Sequence, residues 1–203
     1  MLVTITNTGR MAQTVTPTAA IPLYGRSADN IRDHRHVTSL LHRIETTDTG
    51  VLVTPTLSFD ERGHQVNHMT YYCVGWSGNG EKPVDFYPTA EDFVGEGGNF
   101  ERPYAIVKNA EGVKAGTKIE GLEAVGGLHF SEITLEPEEE CSYLIFTGIT
   151  EDIQEIRNLS KTYTTREKVL EELEKTKAYW QEKVNVAYHT GDSDFNQFMH
   201  WVS

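Results

Sequence analysis

The sequence predicts a mainly β protein, an antiparallel β-sandwich over residues 1–149 followed by α-helices. Three observations point there. Short runs rich in β-branched and aromatic residues recur through the first part of the chain, and such side chains suit a pleated, half-buried surface. Turn residues separate these runs with no helical period between them, the pattern of a sandwich rather than of alternating strands and helices. From Thr150 onward the apolar residues recur at helical spacing instead.

The elements follow in order. Leu2–Thr6 (LVTIT) alternates and reads as a strand ended by the turn signal Asn7-Thr8-Gly9. Gln13–Leu23 is a second strand, demoted towards an edge or a bulge by Pro17 and Pro22. Val37–Glu45 and Val51–Leu57 are expected to form a hairpin around Thr47-Asp48-Thr49-Gly50. Met69–Trp76 is a further strand; the insert before it (Asp60, Glu61, Arg62, His64, Asn67, His68) carries more polar chemistry than a plain turn needs. Pro103–Lys108 reads as a short strand, and Leu128–Leu135 is expected to pair with Cys141–Thr147 across the acidic turn at 136–139.

Thr150 is a candidate cap for a helix that puts Ile153, Ile156, Leu159 and Tyr163 on one side. The capping box Thr164-x-x-Glu167 opens a second helix, with Val169, Leu173, Trp180 and Val184 at helical spacing and Glu171 set four residues before Lys175. Periodicity alone reads it as a surface helix laying its stripe on the sandwich. Asp192 or Ser193 caps a third helix, with Phe195, Phe198, Met199 and Val202 on one face. No glycine, asparagine or basic turn closes that helix, and one of about ten residues is marginal without tertiary packing. The chain is therefore expected to be a fragment: a sandwich over 1–149, a helical linker over 150–189, and a truncated helix over 190–203.

Bulk properties narrow the function. A net charge of −12 argues against a nucleic-acid partner, since counterion release needs a basic face. No apolar run approaches the length of a bilayer span, and no secretory signal opens the chain, so no membrane role is expected. The two cysteines, Cys73 and Cys141, lie inside apolar runs and read as buried free thiols, which favours the cytoplasm.

In so acidic a chain Tyr24–Arg43 stands apart: Arg26, Arg32, Arg35 and Arg43 face only Asp29 and Asp33, with His34, His36 and His42 among them. Arginine's planar fork suits carboxylates, phosphates and paired sugar hydroxyls. Two readings stand side by side, a loop reaching towards a sugar or phosphate site and an internal ion-pair network that pins a long loop. Gly95, Gly97 and Gly98 surround Glu96 in a loop that lets the backbone approach a ligand closely. It lacks the Lys-Ser/Thr of a phosphate loop. His64 with His68, and His34 with His36, are spaced to share a strand face, but no third ligand accompanies either pair, so no metal is expected. Asp60-Glu61 and Glu91-Asp92 are adjacent pairs, which a strand would turn to opposite faces, so neither makes an acid–base couple. No catalytic residue is assigned.

SFDERGHQVNHMTYY (from Ser58) followed by FYPTAEDFVGEGGNFERP (from Phe86) resembles the β-sandwich of the cellobiose and cellodextrin phosphorylases, glycoside hydrolase family 94, formerly glycosyltransferase family 36. IPLYGRSADNIRDHRHVTSLLHRI (from Ile21) and TGDSDFNQFMHWVS (from Thr190) are similar to the same family in the same order, and the likeness leans to the cellodextrin branch. The resemblance implies a supersandwich of galactose-mutarotase-like type, linker helices, and a catalytic α/α barrel absent from these residues. It also implies a homodimer acting on a β-glucan disaccharide or oligosaccharide, with inorganic phosphate as co-substrate and no cofactor. The acid and the phosphate-binding residues of such enzymes lie in the barrel, so the chain alone is expected to be inactive. Arg32, Arg35, His36 and Glu96 are the residues expected to project towards the sugar.

Overall fold

The computed structural model describes residues 1–25, 35–60, 63–183 and 188–202; for Arg35, His36, Phe59, Asp60, His200, Trp201 and Val202 it describes the backbone alone. The chain is mainly β with antiparallel pairing throughout, and the described residues contain no closed barrel. It divides into two compact units, Met1–Arg166 and Glu167–Ser203.

The described residues of the first unit form thirteen strands: β1 (Leu2–Thr6), β2 (Gln13–Val15), β3 (Thr18–Leu23), β4 (Arg43–Thr46), β5 (Gly50–Val53), β6 (Leu57–Asp60), β7 (Gly63–Val66), β8 (Thr70–Ser77), β9 (Asp85–Thr89), β10 (Lys118–Glu120), β11 (Ala124–His129), β12 (Ile133–Leu135) and β13 (Glu140–Thr150). The larger sheet runs β1-β13-β8-β5-β4-β10 and the smaller β3-β11-β9, with β12-β2 and β6-β7 as two-stranded ribbons. β11 lies across β5 and β8, so the sheets face each other. Val51, Val53, Cys73, Phe86, Leu128, Phe130, Tyr143 and Ile145 fill the space between them. The runs expected at Leu2–Thr6 and Met69–Trp76 form strands, and the hairpin at Thr47–Gly50 forms between β4 and β5.

The sequence reading fails where residues with strand propensity meet local capping or proline. Val37–Ser39, expected in a strand, lies in the short helix α1 (Arg35–Ser39). Pro103–Lys108 is the single-turn helix α3 (Tyr104–Val107), because Pro103 sits at its N-cap with a fixed φ of −67°. Between them α2 (Ala90–Val94) starts from Thr89, whose Oγ1 accepts from Asp92 N. Gln13–Leu23 is broken at Thr16-Pro17 into two strands of different sheets. The hairpin expected across 136–139 does not form: β12 pairs with β2, and β13 pairs with β1 and β8. Pairing across the chain outcompetes that local turn because Leu144 and Ile145 are buried only in the centre of the larger sheet. The polar insert is itself a hairpin, β6 against β7, with His64 on β7 and His68 beyond its end, so the two histidines share no strand.

After β13, Asp152 rather than Thr150 caps α4 (Ile153–Thr162), its carboxylate accepting from Gln154 N at 2.8 Å. Thr150 supports the cap, donating its hydroxyl to Glu155 Oε2. Ile156 is buried against the sandwich. α5 (Arg166–Lys183), all but its first residue in the second unit, has no buried residue, and Lys175 pairs with Glu171 at 2.9 Å and Glu172 at 2.6 Å. Asp192 caps α6 (Ser193–Val202) through Asp194 N and Phe195 N.

Candidate functional site

The sequence Thr89-Ala-Glu-Asp-Phe-Val-Gly-Glu-Gly-Gly folds as one turn of helix running into a glycine turn, closed by Gly98 N donating to Gly95 O at 3.1 Å. Gly95 caps α2 at φ 77°, and Gly97 follows at φ 67°, backbone that side chains with a Cβ rarely adopt. At Gly98 the constraint is space: a Cβ there would lie 1.9 Å from Val94 O. This backbone presents Glu96, which is exposed.

Glu96 lines a cleft of about 340 Å³ with Glu91, Asp92, Glu111, Tyr87 and Tyr104. The cleft is of a size that takes a small ligand. Glu91 and Asp92, expected on opposite faces of a strand, sit instead in the first turn of α2 and line the same cleft. Asp92 Oδ2 accepts from Thr89 Oγ1 at 2.6 Å, so part of its capacity is used by the cap. The Tyr87 hydroxyl donates to Ala110 O at 2.6 Å. Carboxylates accept from hydroxyls and tyrosine rings offer apolar faces, a lining that fits a sugar. Its lining residues include no cation, so it does not suit an inorganic phosphate.

Of the other predicted site residues, Arg32 lies outside the described residues, as do Arg26, Asp29, Asp33 and His34. Arg35 and His36 open α1, whose Thr38 and Ser39 share a small cavity with His42, Tyr24, Ala90 and Phe100. α1 therefore neighbours the loop that follows Gly98, while Glu96 lines a different cleft. Two members of the arginine–histidine stretch are structural. Arg43 donates to His42 O at 2.9 Å and pairs with Glu120 at 3.5 Å. His42 is buried with Nδ1 3.1 Å from Leu122 O, and burial pushes its pKa below the ordinary value.

Sequence reasoning missed Asp85 and His129. They face each other across β9 and β11, and His129 Nδ1 lies 2.7 Å from Asp85 Oδ1, with Lys114 Nζ 3.8 Å from Oδ2. Asp85 is buried. A carboxylate inside an otherwise apolar strand, VDFYPT, was the only available signal; its partner is far away in sequence.

Comparison adds one finding to this geometry: residues 1–166 match the family described as glycosyl hydrolase 94, supersandwich domain. The chain belongs to glycoside hydrolase family 94. The supersandwich is a non-catalytic part of family 94 enzymes. No curated protein matches the chain. Among the described residues no helix is long and apolar enough to cross a membrane.

Proposed function

We propose that this supersandwich serves an inverting phosphorylase that cleaves cellobiose or cellodextrins with inorganic phosphate to give glucose 1-phosphate. The chemistry belongs to an α/α barrel. An inverting hydrolase needs an acid for the leaving oxygen and a base to activate water. Phosphate arrives already anionic, so a phosphorylase needs the acid together with cations that hold the phosphate. The sandwich contributes sugar contacts and support, with Arg32, Arg35, His36 and Glu96 facing the β-glucan. A homodimer in the cytoplasm, working without a cofactor, completes the proposal.

The observation that carries this reading is Glu96, held on a glycine turn in an acidic, tyrosine-lined cleft of a family 94 supersandwich. The same cleft favours a second reading, a carbohydrate-binding sandwich with no catalytic partner. The test is Arg35→Ala and Glu96→Gln in an enzyme that joins this sandwich to its barrel. A residue that contacts sugar loses kcat/KM by about 1.5–3 kcal/mol equivalent per charged hydrogen bond, at unchanged Tm. A variant that melts early while keeping kcat/KM refutes the contact. Glucan binding with no effect of either variant on turnover favours the second reading.

A further inference from the structure

A cleft of about 380 Å³ lies between the β4–β5 turn and α4, and it shares no lining residue with the acidic cleft around Glu96. We infer that it binds a small phosphate ester, with Arg157 and Lys161 of α4 on the phosphoryl group. Its apolar part is Leu52 and Ile156, both buried, together with Ile153. The turn Thr47-Asp48-Thr49 and Glu45 line one side, and Arg157, Ser160 and Lys161 line the other. Both sides belong to the first compact unit.

Charge decides the sign of the ligand. Of the two acids in the cleft, Asp48 pairs with Lys82 and Glu45 with Lys118 at 3.9 Å, and both lysines lie outside the lining. Among the described residues, Arg157 and Lys161 have no ion pair. Four residues apart on α4, they share one face of the helix. The uncompensated charge of the cleft is therefore positive, in a chain whose net charge is −12.

A hydroxyl on the turn favours the same ligand. Thr49 is only 8% exposed, and its Oγ1 lies 3.5 Å from Thr47 Oγ1, well beyond the usual O–H···O distance of about 2.7–2.8 Å. Thr47 Oγ1 is occupied within the turn, accepting from Gly50 N at 3.2 Å and donating to Gly50 O at 3.3 Å. Thr49 is thus a buried donor without a close acceptor, and such a group costs stability until one meets it. A phosphoryl group brings up to about two negative charges and three acceptor oxygens, enough for two cations and a hydroxyl. A carboxylate brings one charge and two oxygens. The remaining volume and the apolar residues suit a carbon skeleton of monosaccharide size. This inference rests on the α4 cleft and not on the sugar reading of Glu96.

The test is titration of the 203-residue chain with glucose 6-phosphate, read by calorimetry and amide NMR shifts. Glucose, glucuronate and inorganic phosphate serve as separate probes. The expected result is saturable binding of glucose 6-phosphate, weakened by salt, with shifts at residues 47–50 and 157–161. Arg157→Gln and Lys161→Gln each weaken it about tenfold or more, the loss of one charge-assisted contact, at unchanged melting temperature. Thr49→Val weakens it as well, and the two glutamine variants decide the matter if the valine variant fails to fold. Lys108→Gln, outside the cleft, leaves binding unchanged. No saturable response at the highest attainable concentration overturns the proposal, as does binding that survives the double variant Arg157→Gln/Lys161→Gln. Equal affinity for inorganic phosphate overturns the ester, and equal affinity for glucuronate or glucose overturns the phosphoryl group.

Discussion

The indole Nε1–H of Trp76 donates to the main-chain carbonyl of Tyr163 at 2.6 Å, tying the centre of the larger sheet to the residue that ends α4. Phe146 stacks with both rings, 5.1 Å from Trp76 and 5.5 Å from Tyr163. Burial of these aromatics and one directed bond hold the turn after α4 on the sheet. Trp76→Phe keeps an aromatic ring, deletes the donor and trims a buried indole. It is expected to cost about 1–3 kcal/mol in urea unfolding, the penalty for a part-buried carbonyl left without its partner together with the packing lost at the indole. No change in the midpoint would show that the bond contributes nothing.

His42 gives the fold an acid-sensitive component. Burial lowers its pKa, so the unfolded chain binds the proton more readily. Stability is then complete above the unfolded pKa, about 6.5, and falls as pH drops below it, by at most about 1.4 kcal/mol per unit. His42→Asn keeps an N–H for Leu122 O and removes the titration. Its unfolding free energy is expected to change less than that of the wild type as pH falls from about 7 to about 5; equal slopes would assign the acid sensitivity to other groups.

Cys73 is fully buried, its Sγ 3.6 Å from Gly126 O, and burial pushes its thiol pKa up to about 12. Iodoacetamide reacts with the thiolate, so the native chain is expected to label at the half-buried Cys141 and not at Cys73 until it unfolds. Equal labelling rates at the two sites would contradict the closed core. The expectation of free thiols holds, and Cys141 is less buried than its apolar run implies.

Gly98→Ala tests the turn that presents Glu96. The added methyl meets Val94 O, so the turn must open. A loss of about 1–3 kcal/mol in stability is expected, as for other overpacked positions. A variant with unchanged stability would mean that the turn yields without cost.

The sandwich was legible because its strands bury β-branched residues in short runs, as at Val51–Val53 and Thr70–Ser77. Pairing was less so. The acidic turn at 136–139 reads as a hairpin, but β13 finds its partners at β1 and β8, which a local window does not compare. α1, α2 and α3 have five or fewer residues each, too short for a helical period to show. Glu96 stood out because glycines frame it. The cleft's other acids were harder to read: Glu91 and Asp92 line it from a helical turn capped by Thr89 rather than from a strand, and Glu111 arrives from a distant segment.

The central claim is that the supersandwich carries no catalytic centre of its own. It is tested most directly by incubating the purified chain with cellodextrin and inorganic phosphate and measuring glucose 1-phosphate. The prediction is no release above a protein-free control at any enzyme concentration. Sustained release proportional to the amount of chain, and lost when Glu96 or Asp85 is neutralised, would contradict it.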